Sequence, residues 1–284
     1  MRVILFFASV LLLVISCKEE LPGIIMVDEA KPLLDTSYLV AVPSASAKKV
    51  LLFDITGVRC NNCPKAAIVA KKLLALNPNS LVVVALYPKT PNSLTFPWAG
   101  FDTMSTIESE QIASALGGIG SLPLGSVDQF SFNGSKLIDP SNWASAIAQQ
   151  MVKVSPFNLQ IKSTWNTSDA RARIEVKAIT NSAATGNYKW VMGIIENSVI
   201  SKQSDADTSS GFRDNYMHEH VLRACVGSSL GMEIGNNMPA GWVREKHFYI
   251  LPKAKWKSEN LDLVIWIYDA NTKEVLQVEK AKIK

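Results

Sequence analysis

Residues 50–55 read Val-Leu-Leu-Phe-Asp-Ile, an apolar run of strand length interrupted only by Asp54. A run that apolar, without polar alternation, predicts a strand buried on both faces. After a short polar turn, residues 64–76 predict a helix. Residues 81–87 then predict a second buried strand, 125–132 a further strand, and 141–152 a closing helix. Beyond Val154-Ser155-Pro156 the pattern changes to short alternating or β-rich runs at 157–165, 172–180, 188–197, 218–226, 245–251, 261–268 and 274–283. Such runs, separated by turn-rich segments, predict an antiparallel sandwich of immunoglobulin-like architecture with 261–268 as its best central strand. Two connections, 198–216 and 227–242, are longer than hairpins need and are read as binding loops. The first has the polar Ser/Asp composition of a disordered segment.

Candidate chemistry begins at Cys60-Asn61-Asn62-Cys63, where the first buried strand hands over to the first helix. A thiolate at a helix N-terminus is stabilised by the macrodipole and by unpaired backbone N–H groups, which lowers its pKa. On that reading Cys60, the more exposed position, is the nucleophile, and Cys63, one turn further in, resolves a mixed disulfide. Asp54 stands six residues before Cys60 in an otherwise apolar strand, where a carboxylate is costly without a partner; it is a candidate acceptor for the proton of Cys63. Pro123 closes the stretch Gly117-Gly118-Ile119-Gly120-Ser121-Leu122-Pro123 ahead of the next strand, and an X-Pro bond there can be cis and pack opposite the thiols.

Taken in order, residues 48–153 resemble thioredoxin-like proteins. The resemblance implies an attacking cysteine at Cys60, a resolving one at Cys63, the buried acid at Asp54 and the cis-proline at Pro123. The sequence departs from that pattern in the same neighbourhood. Arg59 stands where Trp is usual, Asn61-Asn62 replace Gly-Pro, Pro64 takes the place of Lys, and Leu124 that of Thr. Arg59 favours a thiolate electrostatically, whereas loss of the Trp removes a typical substrate-facing surface.

Met1-Arg2 followed by the apolar residues 3–15 has the form of a secretory signal, too short to span a bilayer comfortably. Val14-Ile15-Ser16-Cys17 resembles a bacterial lipobox, which implies cleavage after residue 16 and attachment to the membrane through lipid on Cys17. Lys18-Glu19-Glu20 resembles the signal that exports Bacteroidetes lipoproteins to the cell surface. Prolines at 22, 32 and 43 and the Ser-Ala-rich stretch 42–47 make 17–47 read as a tether, with an edge strand within 28–40. The resulting plan is a signal at 1–16, a lipidated tether at 17–47, an α/β thioredoxin-like domain at 48–154 and an all-β immunoglobulin-like sandwich at 155–284. An oxidising envelope lets Cys60 and Cys63 persist as a disulfide. With Cys17 taken by lipid, Cys225 is left over and reads as a buried small hydrophobe.

The net charge of +4 over 284 residues, with a pI near 8.8, is too mild to point to nucleic acid. His218 and His220 lie two apart, so within a strand they share a face with Glu219 opposite. With His247 as the only other histidine, no zinc set forms with Cys60 and Cys63, and neither metal nor cofactor is expected. Residues 96–101, Phe-Pro-Trp-Ala-Gly-Phe, read as an aromatic lid or partner-binding insertion. Asp102-Thr103-Met104 resembles a short O-glycosylation motif of Bacteroidetes envelopes.

The lipobox, the stretch Asp-Ile-Thr-Gly-Val-Arg-Cys-Asn-Asn-Cys-Pro at 54–64 and Tyr-Met-His-Glu-His-Val-Leu-Arg-Ala at 216–224 together look like the twenty-eight-kilodalton outer-membrane lipoprotein family of Bacteroidetes. That resemblance implies a lipid-anchored protein of the outer membrane. Two functions stay open. One is an envelope thiol–disulfide oxidoreductase acting with the C-N-N-C dithiol on protein thiol or disulfide substrates. The other is a non-enzymatic binding or adhesion lipoprotein with an extracellular protein partner, its C-x-x-C a static disulfide.

Overall fold

A computed structural model describes residues 33–89 and 92–284. The signal-like run at 3–15, Cys17 and Lys18-Glu19-Glu20 lie outside the described residues. Strand β1 (Leu34–Leu39) is followed by β2 (Val50–Ile55), α1 (Cys63–Leu76), β3 (Leu81–Leu86), α2 (Asn92–Thr95), α3 (Ile107–Ala115), β4 (Leu124–Val127) and α4 (Trp143–Met151). Strands then dominate: β5 (Phe157–Asn166), β6 (Arg171–Thr180), β7 (Ala184–Glu196), β8 (Val199–Ser204), β9 (Phe212–His218), β10 (Val221–Val226), β11 (Met232–Met238), β12 (Trp242–Ile250), β13 (Leu261–Asp269) and β14 (Val275–Lys282).

Every residue of β2 and β3 is buried, as their unbroken apolar runs require. The two pair in parallel from Val50 opposite Leu81 to Ile55 opposite Leu86, with α1 making the crossover. β4 pairs antiparallel on the other side of β2. Alternation along β2 sends Val50 and Leu52 to a core shared with α1 and α4, and Leu51, Phe53 and Ile55 to one shared with α3. Asp54 therefore belongs to the α1 side. On that side Gly125 leaves room for the Trp143 indole, because a Cβ at Gly125 would strike the ring.

The free edge of β3 is taken by β10, which runs parallel to it with Val221 opposite Ala85. From β10 the hydrogen bonding continues through β7 and β13 to β14. One eight-stranded sheet, ordered β14-β13-β7-β10-β3-β2-β4 with β11 also on β7, thus runs through the molecule. A four-stranded sheet, β1-β12-β6-β5, packs face to face over its β7–β13 part. Phe157, Ile174 and Phe248 there meet Trp190, Met192 and Ile265. Phe53 and Trp266, from opposite halves of the large sheet, meet edge to face at 5.6 Å between ring centroids. Among the described residues no helix is long and apolar enough to cross a membrane.

This architecture overturns the expected fold class, an α/β thioredoxin-like domain followed by an all-β immunoglobulin-like sandwich. Strands expected in the first unit and strands expected in the second hydrogen-bond into the same sheet, and strand is the prevailing structure. The physical reason is the edge of β3. An apolar, fully buried strand cannot leave a row of N–H and C=O groups unpaired, and β10 supplies the partner.

Local expectations change too. The segment 198–216 is not a disordered loop: β8 and β9 pair as a hairpin within and beyond it. The segment 227–242 contains β11, hydrogen-bonded to β7. The run 218–226 breaks at His220, whose φ of 59° turns the chain, so His218 ends β9 and Val221 begins β10. The run 125–132 stops at Val127 because Asp128 and Gln129 take positive φ.

Candidate functional site

Past β2 the chain turns through Thr56-Gly57-Val58-Arg59 to the cysteines. Gly57 answers a close approach: a Cβ there would stand 2.5 Å from the Leu94 carbonyl oxygen, the same atom that accepts from Arg59 N at 2.8 Å. Cys60 N donates to Gly57 O at 3.1 Å and Cys63 N to Cys60 O at 3.3 Å. This tight turn brings the two cysteine Cα atoms to 5.4 Å, and the pair is joined as a disulfide. Cys60 is hardly more exposed than Cys63, at 3% against 2%.

The β8–β9 hairpin covers this loop. Gln203 Nε2 reaches the carbonyl oxygens of Gly57, Cys60 and Ser204 at 3.1, 3.0 and 2.9 Å. Ser204 N donates to Val58 O at 2.9 Å, and Ala206 N to Asn61 O at 3.1 Å. Trp98 closes one side, its Nε1 donating to Val58 O at 3.2 Å while the Arg59 guanidinium stacks 4.0 Å from its ring centroid.

Beside the loop, between α1 and the end of β9, lies a cavity of about 480 Å³. Alternation along β2 and β3 brings Asp54 and Tyr87 to its inner end, with Cys63 alongside; Ile68, Leu74 and Met217 line its apolar walls. Asp54 Oδ1 is buried without a hydrogen-bond partner. Burial strips hydration from the charged form and pushes this carboxyl from 3.8 up to about 7. His218 Nδ1 lies 2.9 Å from the Tyr87 hydroxyl, while its Nε2 is buried without a partner. Burial, then the charge of Arg223, pushes His218 down to about 3; burial, then Lys280, takes His220 to about 4. Both rings are neutral near pH 7. Burial, then the charge of Asp54, raises the Tyr87 phenol well above its usual value. Arg223 itself is held by Glu196 at 2.8 Å. Among these groups Asp54 alone changes charge near neutrality. Such a site can hold an apolar body and hydrogen-bond a polar head. Among the described residues no group of three or more His, Cys, Asp and Glu is placed to hold a metal ion.

Residues 118–284, more than half the chain, match the family model of outer membrane protein Omp28. This chain belongs to the Omp28 family. It is an outer-membrane protein, in agreement with the family resemblance and location read from its sequence. Solved structures similar to this Omp28 member include a protein from Agrobacterium tumefaciens, with TM-score 0.48 and 11% identity, covering 85% of this chain and 97% of that one. Another is a domain of the outer membrane lipoprotein Omp28 from Porphyromonas gingivalis, with TM-score 0.31 and 17% identity over 47% of this chain and 92% of that one. The B domain of a biofilm-associated protein gives TM-score 0.23 at 9% identity, covering 63% and 59%. Among curated proteins none matches the chain significantly.

The Omp28 match begins after the cysteine loop; it carries Gln203 and His218 but not Asp54, Cys60 or Cys63. Asp54 and Cys63 border the cavity together, and Cys60 lies under the hairpin. The Leu122–Pro123 bond is cis, just before β4 pairs Leu124 with Ile55. Cys225 sits buried on β10 outside this group, its thiol pushed up by burial. His247 is on β12 beside Glu245, apart from His218. Within the aromatic insertion, Trp98 packs on the loop while Phe96 is exposed. Sequence reasoning missed Gln203, Tyr87 and Tyr216. No local signal marks Gln203, whose contact with Cys60 spans 143 positions; His218 was visible, but only as a poor metal ligand.

Proposed function

We propose that this Omp28 family member is a non-enzymatic binding lipoprotein, anchored through lipid on Cys17, in which Cys60–Cys63 is a structural staple. The covering of the loop by Gln203 carries this reading. Thiol–disulfide exchange needs an incoming thiolate to reach a disulfide sulfur. Two cysteines at 3% and 2% exposure, with a hairpin bonded to the loop on both sides of Cys60, present almost no surface to the thiolate of another protein, and Cys63 meets only the small-molecule-sized cavity. What the disulfide does instead is hold the turn between β2 and α1, and with it one wall of the cavity. Membrane association agrees with the family; the lipid on Cys17 rests on the lipobox-like Val14-Ile15-Ser16-Cys17.

The test is insulin reduction by the purified protein with dithiothreitol as electron donor. The expected rate equals that of buffer with dithiothreitol, and reduction followed by alkylation labels Cys60 and Cys63 only when the reduction is carried out in denaturant. Turnover that disappears in Cys60→Ser would overturn the reading in favour of an oxidoreductase. The anchor has its own test. Cys17→Ser should shift the protein out of the membrane fraction, and undiminished membrane retention would remove lipid on Cys17 from the proposal.

A further inference from the structure

We propose that the cavity between α1 and the end of β9 binds an elongated apolar molecule carrying a primary ammonium head, with the head seated on Asp54 and His218. This names the ligand class of the binding function argued above and rests on that reading.

The volume of about 480 Å³ falls within the range of roughly 300–1,000 Å³ usual for small-molecule sites. Its outer part is apolar. Ile68 on α1 and Met217 on β9 border it and remain 52% and 53% exposed, large apolar side chains left in water for want of a partner. Its inner end is polar and incomplete. Asp54 Oδ1 and His218 Nε2 are both buried without a hydrogen-bond partner, although buried polar atoms are almost always paired. Asp54 needs a donor. His218 becomes a second acceptor when its Nδ1–H donates to the Tyr87 oxygen 2.9 Å away. Both residues line the same cavity, and a head group with several N–H donors is the kind that can serve two acceptors.

Charge selects the cation among such heads. From β2 the inner end receives Asp54; from β3, Tyr87; from β8, Gln203; and from β9, Tyr216 and His218. The turn after β9 adds Glu219 and His220, and α1 adds Cys63, locked in its disulfide, and Lys71, exposed at the rim. On β10, Arg223 is paired with Glu196 yet still lowers His218, so it opposes a cation on the His218 side and leaves Asp54 as the group that attracts one. Both histidines are neutral near pH 7. A carboxylate head would meet Asp54 and Glu219 with like charge, whereas an ammonium pairs with Asp54, with the neutral phenols of Tyr87 and Tyr216 at the same end.

A cation also couples to the proton on Asp54. The ligand binds the ionised carboxylate, and that carboxyl titrates at about 7 in the folded protein. Affinity should therefore rise between pH 5 and pH 8, on the order of fiftyfold to a hundredfold, as the ionised fraction grows.

The experiment is calorimetric titration of the full chain in non-ionic detergent with octylamine, octanol and octanoate, each corrected for detergent alone. Octylamine should bind at least tenfold more tightly than octanol at pH 8, octanoate should not bind, and only octylamine should gain affinity from pH 5 to pH 8. Asp54→Asn should erase the preference for the amine and its pH dependence. Ala67→Trp, which fills the cavity from α1 and leaves Asp54 in the sequence, should abolish binding of all probes. Equal affinity for octanol and octylamine, or an amine preference that survives Asp54→Asn, overturns the proposal. Insulin reduction is read in a separate assay, so turnover there with amine binding intact would sink only the non-enzymatic reading, and the reverse result only this one.

Discussion

Lys48 Nζ stands 2.6 Å from Asp128 Oδ2 with both side chains almost wholly out of water. The same ammonium donates to Val275 O at 3.2 Å, and Asp128 Oδ1 accepts from Leu51 N at 2.8 Å. One ion pair thus ties the approach to β2, the end of β4 and the start of β14. Lys48→Met leaves the Asp128 charge buried and uncompensated, at a cost of about 3–5 kcal/mol. Lys48→Met with Asp128→Asn keeps an acceptor for Leu51 N and tolerates the positive φ at 128, so it should be the more stable of the two. Urea denaturation midpoints check the order, and a double variant as unstable as the single one would refute it.

Asp54 makes stability depend on pH. Its carboxyl rises from 3.8 unfolded to about 7 folded, so the folded state holds a proton that the unfolded chain releases between those values. The contribution is fully present below about pH 4 and is lost as pH rises through 7. A displacement of about three pH units corresponds to about 4 kcal/mol at most. Asp54→Asn should therefore stabilise the protein at pH 8 and leave it nearly unchanged near pH 4. Denaturation at both pH values measures this; an equal effect at the two would show that folding does not raise the Asp54 carboxyl.

Gly57→Ala places a methyl group 2.5 Å from Leu94 O, an atom already engaged by Arg59 N. Moving that carbonyl aside breaks the hydrogen bond, and strain with bond loss together should cost about 1–3 kcal/mol. Hydrogen exchange adds a local readout. The Arg59 amide should lose protection, and unchanged protection would mean that the loop accommodates the methyl without shifting.

Gln203→Ala removes the amide that reaches the carbonyls of Gly57 and Cys60. Leaving these buried acceptors short of donors should cost about 1–3 kcal/mol. Dithiothreitol should also reduce Cys60–Cys63 faster in the variant than in the parent. Identical reduction rates would show that the hairpin does not shield the disulfide.

The local elements were legible where one physical demand dominates. The apolar runs of β2 and β3 announce buried strands, and the Pro-led segment after Cys63 announces α1, because hydrophobic burial and helix-start chemistry act over a few residues. The turn chemistry after Val127 was not legible, because Asp128 takes its positive φ in a setting that also holds its carboxylate to Lys48 and Leu51 N. The hairpin at 199–218 was hidden by composition: Ser and Asp read as disorder, yet Gln203 and Asp205 are buried, the latter paired with Arg213.

By itself the sequence determined that the two cysteines stand at a strand-to-helix turn, that Asp54 lies in an apolar strand six residues earlier, and which family the chain resembles. Those are matters of spacing and hydrophobic period, both local. Only the tertiary structure decided that β3 pairs with β10 to make one sheet of what periodicity divides in two, because strand partners are chosen by edges that must be satisfied across the chain. It alone also set Gln203 over Cys60 and His218 beside Tyr87, contacts spanning 143 and 131 positions that no window of sequence contains.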